Sequence, residues 1–76
     1  MPSVMEQLEE IVRDVSGYED PIDADWDLVE KRIIKSVMLL EIIAIIEEDF
    51  DIEVTAQDLY EGHFATLKAM KKFLKN

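Results

Sequence analysis

Apolar residues near the start of the chain fall at Val4, Met5, Leu8, Ile11, Val12 and Val15. That three-and-four spacing predicts a helix with one buried stripe. Ser3-Val4-Met5-Glu6 has the form of a capping box, in which the N-cap hydroxyl and the carboxylate three residues on satisfy each other's backbone amides. Gly17 supplies a stop, so the first helix is placed at about residues 4–16. A second helix is predicted at about 36–50, from Ser36 to Phe50. Its apolar residues run nearly all the way round, the mark of a central helix. A small bundle cannot cover every face, so some of Val37, Met38, Leu39, Ile42 and Ile45 are expected to stay exposed or line a groove. Thr55-Ala56-Gln57-Asp58 reads as the start of a helix of one or two turns, with Gly62 as its stop. Thr66 can cap a last helix that carries Leu67, Met70, Phe73 and Leu74 on one stripe. Ile52 and Val54 alternate with acids for too few residues to make a strand.

Residues 17–35 hold Gly17, Pro21 and six acids, the composition of a loop. Trp26, Leu28, Val29, Ile33 and Ile34 are expected to pin it to the core, with a short helical turn near Asp25–Lys31. A connection this long inside a small fold is often functional. The pattern predicts an all-α bundle of three main helices and one short one, with a long loop between the first two. At 76 residues the chain is expected to be one domain, 1–76.

Charge narrows the function classes. The net charge is −10, and residues 36–61 hold eight acids and no base. Residues 31–35 hold three bases and no acid, and four lysines close the chain. Nucleic acid is a poor partner, because phosphate binding needs a basic face. Basic protein surfaces are the natural complement. The longest apolar stretch, Val37–Ile46, is interrupted by Glu41 and falls well short of the roughly 20 residues of a membrane span. No basic region followed by an apolar run opens the chain. The absence of cysteine excludes disulfides and thiolate metal sites and suits a cytoplasmic protein. A monomer is expected.

Candidate chemistry is sparse. Asp23, Asp25 and Asp27 alternate like the start of a calcium loop, but Leu28 and Ile34 stand where that loop needs glycine and glutamate. Asp49, Asp51 and Glu53 fail likewise, with Val54 and Tyr60. Both runs read as solvated acids. His63 is the only histidine, so no metal site is expected; beside Phe64 it reads as a loop residue. No nucleophile-elbow motif surrounds Ser36, and a hydrolase built on it has no identifiable base. Ser36 has a plain structural reading as the N-cap of the second helix.

A wider pattern gives Ser36 a second role. A long anchored loop precedes the serine, an apolar helix ending Glu47-Glu48-Asp49-Phe50 follows it, and then comes Ile52. Gly62-His63-Phe64-Ala65-Thr66-Leu67 looks like a Phe-x-Thr-Leu lead into a last helix. Together these resemble the acyl carrier protein family over about residues 4–75. The resemblance implies an acyl-carrier-like four-helix bundle that performs no chemistry itself. Ser36 would carry 4′-phosphopantetheine, taken from coenzyme A by a phosphopantetheinyl transferase, and the arm's thiol would hold acyl or aminoacyl thioesters. Glu41, Glu47 and Glu48 match the acidic positions of the family's recognition helix. Val37 and Ala44 match its apolar contacts with the basic docking surfaces of acyl-loading and acyl-processing enzymes. Leu40, Ile43, Ile46 and Phe50 would face the core or the acyl-chain cavity.

The chain departs from the family at defined places. Many members read Asp-Ser-Leu at the modified serine, with glycine three residues before the aspartate. Here the residues are Lys35-Ser36-Val37, with Arg32 at the glycine position. Lys35 reverses the charge beside the hydroxyl and sets a cation at the positive end of a helix, unfavourable by roughly 0.3–1 kcal/mol. The alternative function is therefore a carrier-like interaction module that is not modified and binds partners through the second helix.

Overall fold

The computed structural model describes residues 3–75. Four helices follow one another: α1 (Val4–Ser16), α2 (Ser36–Phe50), α3 (Ala56–Tyr60) and α4 (Leu67–Lys75). Among the described residues there is no strand. This is the all-α bundle with one short helix that the hydrophobic spacing predicts.

Local chemistry sets the helix ends. Ser3 Oγ accepts from Glu6 N at 3.2 Å, and Ser3 N donates to Glu6 Oε1 at 3.4 Å, completing the capping box of α1. Gly17 closes α1 in the left-handed conformation, φ +76°, and its amide donates to Arg13 O. Thr55 and Asp58 form a second capping box at α3. Thr66 Oγ1 accepts from Ala69 N at 3.0 Å, the bond expected of a cap on α4.

α1 packs against both α2 and α4. Leu8, Ile11 and Val12 from α1 meet Ile42, Ile43 and Ile46 from α2 and Leu67 and Met70 from α4. Phe64, from the α3–α4 link, is buried among them. The apolar side chains of this core supply its cohesion, at roughly 1.5–3 kcal/mol for each large one fully removed from water.

The 17–35 loop is part of that core. Ile22, Leu28, Ile33 and Ile34 are buried, Trp26 is half-buried, and Val29 stays 39% exposed. Leu28 N donates to Ala65 O at 3.0 Å and Lys68 N to Ala24 O at 3.1 Å, tying the loop to the start of α4. Glu9 Oε2 accepts from Ile22 N at 3.3 Å. The expected helical turn near Asp25–Lys31 is a run of turns without a regular helix. Asp27 Oδ1 starts it by accepting from Val29 N and Glu30 N, and Lys31 N donates to Asp27 O. Asp23 Oδ1 likewise accepts from Asp25 N at 2.8 Å. The aspartates at 23 and 27 therefore shape the loop, as short acceptors do in turns.

Candidate functional site

The loop delivers the chain to the head of α2. Ile33 and Ile34 are buried, and their amides both donate to Leu28 O, so the last residues before the helix are fixed. Lys35 is the N-cap, in the extended conformation (φ −92°, ψ 155°), and its side chain makes no capping bond. Ser36 is the first helical residue. The N-cap reading of Ser36 is thus corrected: a capping side chain hangs from the residue outside the helix, and that residue is Lys35. Ser36 is exposed, and among the described residues its hydroxyl has no hydrogen-bond partner. Met38 N donates to Lys35 O at 2.9 Å. The amides of Ser36 and Val37 are left among the free donors of the first turn.

Three cations surround this helix end in sequence, and Lys31, Arg32 and Lys35 are all exposed. Lys31 Nζ lies 5.6 Å from the centre of the Trp26 ring. Arg32 has φ +60°, the left-handed region that glycine occupies without strain. The backbone at position 32 therefore has a conformation that suits glycine, although the side chain is arginine.

Further along α2, Val37, Glu41, Ala44 and Glu48 are all exposed, and their spacing sets them on one narrow stripe. Val37 is 68% exposed. Leu40 is 62% exposed beside this stripe, which corrects its expected place in the core. It sits about 200° around the helix from Ile42, whose side is covered by the bundle. Ile43 and Ile46 are buried as expected, and Phe50 packs partly against the core. Glu47 lies to one side of the stripe, on the same side of the helix as Leu40. It is half-buried, and its Oε2 accepts from Val54 N at 2.9 Å. It holds the segment after α2, where Asp51 ends the helix in the left-handed conformation.

A groove of about 360 Å³, with apolar walls from Val29, Leu39, Leu59 and Phe64, lies between the long loop, α2 and the α3 region. Leu39 is one turn beyond Ser36 on α2. Spacing along the chain singles out neither Val29 nor Leu59, because the walls come from three separate segments.

The residues at the head of α2 fit a phosphopantetheine arm. An open hydroxyl, unpaired first-turn amides and neighbouring cations favour a phosphodiester at that position. Among the described residues no helix is long and apolar enough to cross a membrane. Searches of curated proteins and of solved structures return no match. A family profile described as Phosphopantetheine attachment site does match, over residues 6–74. That match runs from the first turn of α1 to the last turn of α4, so the chain belongs to the phosphopantetheine-attachment family, whose members carry tethered intermediates and do no chemistry on them.

Proposed function

We propose that the chain is an acyl carrier loaded at Ser36. Its Oγ takes the 4′-phosphopantetheine arm from coenzyme A as a phosphodiester, through a phosphopantetheinyl transferase. The arm then holds acyl or aminoacyl intermediates of fatty-acid, polyketide or other specialised biosynthesis as thioesters. The observation that carries this reading is the placement of Ser36: exposed, unbonded, and at the first turn of α2. Tethering raises the local concentration of the intermediate at any enzyme that binds the carrier. Val37, Glu41, Ala44 and Glu48 form the stripe that such enzymes would dock on, with apolar and acidic members complementary to a basic surface. Glu47 contributes to that surface through its charge, while its carboxylate also holds Val54.

Lys35 favours a second reading, an interaction module that binds through α2 and is never loaded. Incubation with coenzyme A and a broad-specificity transferase separates the two. The carrier reading expects a mass gain of one arm in the wild type and none in Ser36→Ala. No gain in the wild type, restored by Lys35→Asp, would show that Lys35 blocks that transferase. No gain in either, with both proteins folded and the enzyme active on another carrier, would favour the unmodified module.

A further inference from the structure

The turn after α3 gathers three side chains that the sequence leaves apart. Asp58, Glu61 and His63 each offer one ligand atom, and these atoms lie within 4.8 Å of one another. His63 Nε2 and Glu61 Oε1 are 3.8 Å apart. Gly62, at φ +80°, reverses the chain between those two residues, a conformation that glycine adopts without strain. His63 N donates back to Asp58 O at 3.3 Å. The Asp58 carboxylate is aimed by its capping box, with Oδ2 accepting from Thr55 N at 3.0 Å. The imidazole rests against Phe73, ring centres 5.2 Å apart. Asp58 and His63 are half-buried, and only Glu61 is exposed.

We propose that Asp58, Glu61 and His63 form a binding site for a zinc-class divalent ion, with water completing its coordination. One imidazole nitrogen and two carboxylate oxygens suit zinc, whereas magnesium prefers six oxygens in an octahedron. Tetrahedral zinc with bonds of about 2.0–2.2 Å needs donors about 3.3 Å apart, so the triad closes by up to about 1.5 Å on binding. The charge of −10 draws cations to the surface. A bound ion would tie the end of α3, a five-residue helix with no buried residue, to the lead into α4. Leu59 on α3 is a wall of the groove, so the ion would also stiffen that wall. Without the ion, His63 and Glu61 are a partly solvent-exposed pair that contributes little.

The test is a zinc chloride titration of the unloaded 76-residue chain, followed by calorimetry and by amide chemical shifts. One ion per chain is expected, with shifts concentrated in residues 55–64, reversal by a chelator, and no response to equal magnesium. Glu61→Gln and His63→Gln should each weaken zinc binding at least about tenfold. Glu61→Gln leaves the Phe73 contact untouched, so its loss of affinity in a folded protein reports the ligand itself. Unchanged affinity in both variants, or shifts spread over the acidic runs at 23–27 and 49–53, would overturn the site.

Discussion

Replacing Lys35 by aspartate should stabilise the fold as well as restore a charge. Lys35 already has the extended backbone of an N-cap, so the new side chain needs no rearrangement to reach the free amides of the first turn. A capping carboxylate in place of a non-capping side chain contributes about 1 kcal/mol. Removing a cation from the positive end of α2 and adding an anion contribute about 0.3–1 kcal/mol each. Lys35→Asp also changes the net charge by −2, from −10 to −12, and the added repulsion offsets part of the gain. The net expectation is about 1.5–2 kcal/mol, or a rise in Tm of roughly 6–16 °C for a domain of this size. Urea and thermal unfolding of the Ala, Asn and Asp variants separates the contributions. Lys35→Ala should show only the loss of the cation, Lys35→Asn should add the cap, and Lys35→Asp should add the anion. High salt should screen the charge part and spare the cap. An Asp variant no more stable than the Ala variant would refute the reasoning, because it would mean that α2 gains nothing from a cap at position 35.

Ser36→Ala should leave stability within about 0.5 kcal/mol of wild type while abolishing loading; a clear loss of stability on urea unfolding would restore the capping role. Arg32→Gly should stabilise by about 0.5–1 kcal/mol, the relief of left-handed strain less the chain entropy that glycine adds, as read by the urea midpoint. Arg32→Ala keeps the strain and should show no such gain. Glu47→Ala should cost about 1–2 kcal/mol by leaving Val54 N without its acceptor, and should speed amide exchange there, while Glu48→Ala should do neither.

The parts of the fold legible in the sequence are those set within a few residues. Ser3 with Glu6, Thr55 with Asp58, Thr66, and the glycines at 17 and 62 each mark a helix end by local bonding or backbone freedom. The head of α2 differs because nothing local decides between Lys35 and Ser36 as its cap. Burial of Ile33 and Ile34 fixes where the helix begins, and that depends on the rest of the bundle. Leu40 misleads for a related reason: α2 is apolar nearly all round, so its exposed side is chosen by where α1 and the loop pack. Nothing in the local sequence ties Glu9 or Glu47 to a loop, yet each carboxylate reaches the amide of a residue well along the chain, Ile22 and Val54. Counting histidines and cysteines does not point to the proposed ion site, because the residues around His63 are carboxylates that the turn at Gly62 brings beside it. The family to which the chain belongs is legible, since the serine, the helix after it and the lead into α4 occur in the family's order.

The central claim is that Ser36 carries the arm. The most direct measurement is fragmentation mass spectrometry after loading with coenzyme A and a transferase, then digestion on the carboxyl side of glutamate. Cleavage after Glu30 and Glu41 releases residues 31–41, in which Ser36 is the only hydroxyl. The account expects one phosphopantetheine on that peptide, fragmenting at Ser36. An unmodified peptide 31–41 from a folded chain, given a transferase that loads another carrier and also fails on Lys35→Asp, would contradict it, as would an arm found on any other peptide.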